Sequence, residues 1–402
     1  MDHDESSGYT DILHQIPFTG PGTLAGRFLR SFWQPVARAQ DLLSGRAGAI
    51  RIMGEDFTLY RGQGGAPHLL AFRCAHREAQ LSAGSVEGDC IRCFYHGWKY
   101  DGSGQCVDQP AEPEPFATKV TIRSYPVQEQ LGLIFAYLGE GAAPEIPRFP
   151  DFEELGVSLD LGTQTYLRRS NYFQKLENSL DSTHLGFVHR NQTFTFDGVA
   201  ETPTLTARES SWGVTLTISR PNGQQQQVEF GIPNTSNINS FSRVPGLERI
   251  QHLFWAVPID DESHIQFGVG RIPLTGEAAC EYFELEAARR AKLDMDHNDV
   301  AAAVLEGKLS WDQVDPERTD LVLVQDDVAQ RSQGIIQARM HERLGRGDAA
   351  IILLRKLWTR ELRNLLDGRP LTCWTRPAGM RPYAWTDELP GSERSAALPA
   401  RA

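Results

Sequence analysis

The chain predicts an α+β protein built from an all-β unit followed by a mixed unit. Three observations carry that prediction. From about residue 38 to 138 the sequence runs through short β-rich segments broken by Gly, Asp and Pro, such as Ala49-Ile50-Arg51-Ile52 and the apolar run from Leu131 to Leu138. Gly139-Glu140-Gly141-Ala142-Ala143-Pro144, with Pro147 and Pro150 behind it, then reads as a linker. Beyond the linker, strand-like segments at 203–220 and 251–273 precede helical periodicities at about 278–306, 320–345 and 348–366. Strands followed by long helices within one unit are the order of an α+β domain.

Each element has a local reason. Gly20-Pro21-Gly22-Thr23 followed by Leu24, Phe28, Leu29 and Trp33 predicts a turn and an amphipathic helix over about 20–37. Arg61-Gly62-Gln63-Gly64-Gly65 lies between strand-like segments with no helix after it, so it predicts a hairpin turn and not a dinucleotide site. A further helix is expected at 171–189, and the Pro-, Ser-, Ala- and Arg-rich end predicts a loose tail. The resulting division is 1–37 for an N-terminal helical segment, 38–144 for the β unit, 145–385 for the mixed unit and 386–402 for the tail.

With 402 residues, 40% of them hydrophobic, the chain has the length and composition of two globular domains. Its acidic opening, Met1 to Gly8, lacks the basic and apolar regions of a signal peptide, and no run approaches the ~18 apolar residues of a membrane span. A cytoplasmic protein with no membrane partner is expected. The net charge of −12 argues against nucleic acid, whose phosphates are met by clustered Lys and Arg. Six cysteines in a chain of this length are not a secreted disulfide framework. Cys90, Cys106, Cys280 and Cys373 are scattered and are expected to be reduced, structural residues.

The other two cysteines belong to the most informative pattern in the chain. Cys74-Ala75-His76 is followed, sixteen residues on, by Cys93-Phe94-Tyr95-His96. Two thiolates and two imidazoles split between two loops are what a [2Fe–2S] cluster of Rieske type requires, with the thiolates on one iron and the imidazoles on the other. A structural Cys2His2 zinc site uses the same ligands, but zinc-finger spacing normally separates a Cys pair from a His pair.

Beyond the linker comes Asn178-Ser179-Leu180-Asp181-Ser182-Thr183-His184-Leu185-Gly186-Phe187-Val188-His189. Ferrous iron that activates O2 prefers two imidazoles and one carboxylate on one face, leaving open positions. A helix would set Asn178, Asp181 and His184 along one side. His189 lies about 140° round from His184 at 3.6 residues per turn, so both reach one metal only if the helix deforms, which Gly186 would permit. Two ordinary helix histidines beside a solvated Asp are the plain alternative.

Taken together, Cys93-Phe94-Tyr95-His96-Gly97-Trp98 and Asp181-x-x-His184-x4-His189 resemble the oxygenase (alpha) component of the Rieske non-haem iron aromatic ring-hydroxylating oxygenases. Gly20-Pro21-Gly22-Thr23, Val257-Pro258-Ile259-Asp260-Asp261 and the single long chain are most similar to the phthalate dioxygenase and aromatic O-demethylase branch. Respiratory Rieske proteins usually clamp their loops with a disulfide, whose positions here are Ala79 and Tyr95. The resemblance implies an all-β Rieske domain and a helix-grip-like catalytic domain. It implies a cluster on Cys74, His76, Cys93 and His96, and a mononuclear iron on His184, His189 and a distant carboxylate. Val324-Gln325-Asp326-Asp327 to Gly334 resembles the stretch that supplies this carboxylate, and its register selects Asp326, with Asp327 the fallback.

The resemblance also gives Asp181 the part of a bridge between a Rieske His of one subunit and an iron-ligating His of its neighbour, and sets Asn178 beside it in the site. It implies a homotrimer or a multiple of one. Electrons would come from NAD(P)H through a separate reductase or ferredoxin, and O2 would oxidise an aromatic substrate by O-demethylation or ring hydroxylation. An aromatic carboxylate, cis-dihydroxylated, is one such substrate, and Arg220 and Arg243 are candidates to pair with its charge. A Rieske-type electron carrier with an appended domain is the rival from another class.

Overall fold

The computed structural model describes residues 12–162, 165–189, 203–219, 221, 223, 225–241 and 249–377. Thr23 caps the first helix, α1 (Leu24–Arg30), by accepting from the Gly26 N–H at 3.1 Å. The helix is shorter than the periodicity predicts, because Trp33–Arg38 is a strand, β1. Pro35 disfavours helical conformation in the residue before it and has no N–H to continue the ladder. The Trp33 ring packs on Tyr137 instead, and its Nε1 donates to the Pro144 carbonyl at 2.8 Å.

The first unit consists of three small antiparallel sheets. Strands β2 (Ala47–Ile52), β3 (Glu55–Arg61), β4 (Pro67–Ala71) and β9 (Ser124–Tyr125) form one, and β5 (Ser85–Glu87), β6 (Cys90–Arg92), β7 (Lys99–Tyr100) and β8 (Cys106–Asp108) another. The third joins β1 to β11 (Leu133–Tyr137) and β10 (Val127–Gln130). The glycine run after β3 is the hairpin turn expected, closed by the Gly62 N–H on Ala66 O at 2.9 Å, with Gly65 at φ +94°.

The second unit is an eight-stranded sheet with helices on one face. In chain order its elements are β12 (Ser158–Asp160), β13 (Tyr166–Arg168), α2 (Tyr172–Leu180), α3 (Leu185–Val188), β14 (Thr204–Glu209), β15 (Gly213–Ser219), β16 (Gln225–Gly231), β17 (Thr235–Phe241), β18 (Arg249–Pro258) and β19 (His264–Ile272). The helices α4 (Gly276–Arg290), α5 (His297–Leu305), α6 (Leu321–Arg331) and α7 (Ala349–Leu366) follow. The strand order is β12-β19-β18-β17-β16-β15-β14, with β13 also on β19. Pairing puts Tyr166 opposite Gln266 and Arg168 opposite His264, so these four share one face. Trp255 on β18 points to the other face, edge-on to Phe135 and Phe149.

Several expected helices are divided. The 171–189 helix stops at Leu180 and resumes at Leu185, so the deformation lies at Asp181–Thr183 and Gly186 sits inside α3. Asp181 causes the break: its Oδ1 accepts from Thr183 N at 2.9 Å, Thr183 Oγ1 at 2.6 Å and His184 N at 3.2 Å. The 278–306 periodicity is α4 and α5, separated where Asp296 caps α5 through Asn298 N at 2.9 Å. The 320–345 periodicity ends at Arg331, with Gly334 at φ +97° shortly after it. Segment 203–220 is the hairpin of β14 and β15. Cys280 and Cys373 are exposed, unlike the buried Cys106, so the expectation of packed cysteines fails for these two. Arg220, Arg243 and the 386–402 tail lie outside the described residues.

His264 offers a test of this packing. It is fully buried, its Nδ1 donates to Ser170 O at 2.8 Å, and burial pulls its pKa down to about 3. A folded pKa below the unfolded one means that stability falls as pH drops through the unfolded value of about 6.5, because only the unfolded chain takes up the proton. Between pH 7 and 5 this one residue should cost about 2 kcal/mol. Thermal scans should therefore show a shallower acid decline of Tm in His264→Gln than in the unsubstituted protein. Parallel declines would show that His264 is protonated in the fold.

Candidate metal centres

Two loops of the first unit carry the Cys–His pairs, and they repeat one backbone pattern. In the first, Cys74 N donates to Ala79 O at 2.9 Å and Glu78 N to Cys74 O at 2.9 Å. In the second, Cys93 N donates to Trp98 O at 2.8 Å and Gly97 N to Cys93 O at 3.1 Å. The fourth residue after each cysteine has a left-handed backbone, Glu78 at φ 56° and Gly97 at φ 76°. At Gly97 a Cβ would also meet Pro110 Cγ at 2.8 Å.

These turns bury both sulfurs and bring the imidazoles together at the loop tips. Cys74 and Cys93 are 1% and 2% exposed, above a small core that includes Tyr60, Leu81, Ile91, Trp98 and Tyr100. The rings of His76 and His96 lie 4.4 Å apart, and His76 stacks on Trp98 at 4.7 Å. Tyr100 OH is 3.2 Å from Cys74 Sγ and accepts from Ala75 N at 3.2 Å, which leaves its hydroxyl proton for the sulfur. His76 Nδ1 is buried with no hydrogen-bond partner. An unsatisfied buried imidazole nitrogen beside two buried thiols fits a metal cluster. Phe94 and Tyr95 project outward, 67% and 52% exposed.

In the second unit, His184, His189 and Asp326 offer ligand atoms that all lie within 4.8 Å of one another. Asp326 Oδ1 is 3.6 Å from His184 Nε2 and 3.3 Å from His189 Nε2, and it is buried without a hydrogen-bond partner. Neighbouring ligands of an octahedral ion with bonds of about 2.1 Å sit roughly 3 Å apart. The donor set therefore fits one metal ion. The other ring nitrogens are engaged: His189 Nδ1 donates to Gln325 Oε1 at 2.8 Å, and His184 Nδ1 donates to the Asp181 carbonyl. Each Nε2 thus presents a lone pair to the common point.

Helix α6 assigns three consecutive residues to three tasks. Gln325 orients His189, Asp326 faces both imidazoles, and Asp327 turns away toward the sheet. Asp327 Oδ1 accepts from Arg168 Nε at 2.8 Å, and its Oδ2 accepts from His297 Nδ1 at 2.6 Å. Asp326, which the register selects, lies on the histidine side, and Asp327, the fallback, lies against Arg168 and His297. Burial would push the Asp326 carboxyl up, but the two imidazoles and the Lys175 ammonium hold it well below the usual carboxylate range. Lys175 lies 3.8 Å from Asp326 Oδ2 and donates to Asn178 Oδ1 at 3.4 Å, and burial draws its own pKa down to about 8.

Asn178 Nδ2 lies 3.4 Å from His184 Nε2. Within the chain the Asp181 carboxylate is not the acceptor for the His184 imidazole. Its Oδ2 is 3.9 Å from His184 Nδ1, and its backbone carbonyl takes that N–H instead. Gln325, Lys175, Tyr100, Arg168 and His297 do not stand out in the sequence as site residues, and Asp327 does so only as the fallback ligand. Of the first five, Gln325 alone carries a visible signal, as the residue beside the candidate ligand.

Residues 32–126 match the Rieske [2Fe-2S] domain family. The phenoxybenzoate dioxygenase subunit alpha of Ectopseudomonas oleovorans is 31% identical over 380 residues, 88% of this chain and 85% of that protein. The 5,5'-dehydrodivanillate O-demethylase oxygenase subunit of a Sphingobium species is 29% identical over 367 residues, 87% of this chain and 79% of that one. Among solved structures, the terminal oxygenase of carbazole 1,9a-dioxygenase from Novosphingobium sp. KA1 shares the fold, with a TM-score of 0.65 at 19% identity, covering 93% of this chain and 99% of that one. With paired Cys–His loops ahead of a two-His, one-carboxylate site, and a relative similar over nearly the whole length, the chain belongs to the Rieske non-haem iron oxygenases, as an oxygenase component.

Proposed function

We propose that this chain oxidises an aromatic acid with O2, using electrons delivered from NAD(P)H by a separate reductase or ferredoxin. Cys74, His76, Cys93 and His96 hold the [2Fe–2S] cluster, and His184, His189 and Asp326 hold the mononuclear iron. The observation that carries this reading is the engagement of both Nδ1 atoms, which turns two Nε2 lone pairs toward one carboxylate oxygen. When bound, the cluster supplies single electrons and the iron activates O2 beside the substrate. The aromatic acid follows from the names of the relatives, whose substrates are a phenoxybenzoate and a dehydrodivanillate.

The chain's own residues prepare this chemistry. Gln325 and the Asp181 carbonyl fix the ring orientations of His189 and His184. A Tyr100 hydroxyl proton directed at Cys74 Sγ stabilises negative charge on sulfur, and hydrogen bonds to the sulfurs are one of the levers on cluster potential. Asp181 keeps Oδ1 in its local turn, while Oδ2, on a side chain 26% exposed, is available to a cluster imidazole of a neighbouring protomer. Such a bridge requires a neighbouring protomer, and a cytoplasmic homotrimer, or a multiple of one, is the assembly we propose. Among the described residues no helix is long and apolar enough to cross a membrane.

The deciding experiment incubates the metal-loaded protein with NADH, a generic reductase and a panel of methoxylated and unsubstituted aromatic acids. Formaldehyde marks O-demethylation and diols mark ring dihydroxylation. Iron should be about three per chain, against about two for a pure electron carrier. Two irons and no product from any acid would overturn the oxygenase reading.

Three substitutions test the residue roles. Asp326→Ala should lower iron from about three to about two per chain while the reduced cluster keeps its paramagnetic resonance signal. Asp327→Ala should act on stability, at about 3–5 kcal/mol, because it leaves the Arg168 charge buried and unpaired. Reversed outcomes would exchange the two assignments. Asp181→Asn should keep both centres loaded and slow single-turnover oxidation of the reduced cluster by at least about 10-fold. An unchanged rate would remove Asp181 from the electron path.

A further inference from the structure

We propose that Lys175 is a positioning residue that keeps Asp326 a one-oxygen ligand, and so keeps a coordination position open. The inference rests on the iron reading above. It begins with the two oxygens of one carboxylate. Oδ1 faces His184 Nε2 and His189 Nε2 at 3.6 and 3.3 Å, with no hydrogen-bond partner. Oδ2 faces the Lys175 ammonium at 3.8 Å. That distance is an ion pair, longer than a direct hydrogen bond. The carboxylate is thus divided between a metal on one side and a fixed cation on the other.

Lys175 is held for this task. It stands one turn before Asn178 on α2, and its Nζ donates to Asn178 Oδ1 at 3.4 Å. Asn178 in turn sets its Nδ2 3.4 Å from His184 Nε2. The Lys175–Asn178 pair therefore touches both a ligand imidazole and the ligand carboxylate. Only 14% of the Lys175 side chain is exposed, so water screens the attraction weakly. Arg168 cannot perform the same task, because it is committed to Asp327.

The consequence lies in the number of free positions. Two imidazoles and one carboxylate oxygen leave three sites of an octahedral ion for O2 and substrate, whereas a carboxylate bound through both oxygens leaves two. Removing the cation frees Oδ2 to swing onto the metal. Lys175 acts through Asp326 and touches neither substrate nor metal.

The test uses the full-length holoprotein with its cluster intact, unsubstituted and as Lys175→Met and Lys175→Arg. The mononuclear site is loaded with ferrous iron and titrated with nitric oxide, read by the quartet-spin resonance of the nitrosyl. The same proteins are loaded with cobalt(II), and magnetic circular dichroism reports five- or six-coordination. Lys175→Met should retain the metal, shift cobalt to the higher coordination number and raise the nitric oxide Kd about 10-fold. Lys175→Arg should restore both readings. Should Lys175→Met not accumulate as folded protein, Lys175→Gln makes the same comparison. An unchanged cobalt spectrum with unchanged nitric oxide affinity would reduce Lys175 to a neutraliser of buried charge and overturn the proposal. An unsubstituted protein that takes up neither metal at this site would instead sink the iron reading on which it stands.

Discussion

A buried carboxylate between an arginine and a histidine holds the catalytic unit in register. Asp327 and Arg168 are both fully inaccessible, and Asp327 also accepts from His297. Burying an ion pair costs nearly as much as its attraction returns, so its worth lies less in stability than in specifying one arrangement. Here the arrangement is the position of α6 against β13 and α5. Burial favours the neutral form of Asp327, but Arg168 and His297 outweigh it and keep the carboxylate charged. Because Gln325 and Asp326 directly precede it on the helix, fixing Asp327 fixes the candidate ligand carboxylate and the support of His189. Without that anchor, α6 could rotate and place the wrong carboxylate toward the histidines.

The two metal centres are built on different principles. The cluster loops are backbone devices, in which each cysteine both donates and accepts across its own turn and a left-handed residue closes the loop. Side chains enter as a second layer, with Trp98 against one imidazole and Tyr100 against one sulfur. The candidate iron site depends on side chains at the two ends of α3 and on α6, with Lys175 and Asn178 of α2 beside them, so it requires tertiary packing to exist. The first can be recognised from a dozen consecutive letters. The second can be read only once α2, α3 and α6 are packed together.

That difference explains what was legible in the sequence. The Cys–His pairs and the glycine turn at 62–65 could be read because their geometry is local. Adjacent Asp326 and Asp327 offered identical chemistry, and resemblance alone ranked them; their separation comes from Arg168, 159 residues away from Asp327. The helix break was expected at Gly186 on conformational freedom, yet Asp181 makes it by bonding its own turn, a competition with the helix that periodicity does not register. Strand β16 opens on Gln225-Gln226-Gln227, where no apolar alternation marks a strand, although Gln226 is buried. The spacing of Trp33 fits the preceding helix, but Pro35 two residues on is incompatible with one, and the segment is strand β1.

A single hydrophobic core runs from Val36, Leu59 and Phe135 in the β unit through Trp255 to Phe173 and Trp358 in the helical layer. Backbone bonds cross the same boundary, from Met53 N to Pro258 O at 2.8 Å and from Gly54 N to Ile259 O at 2.7 Å. The Rieske unit is therefore not a cartridge that can be lifted out and exchanged between relatives. A chimera joined at the 139–150 linker would cut through shared aromatic packing and two main-chain hydrogen bonds, although the chain there reads as an interdomain connector. Productive recombination would have to carry β18 and the segment around Pro258 along with the cluster unit, so that the seam falls in the loops beyond the sheet.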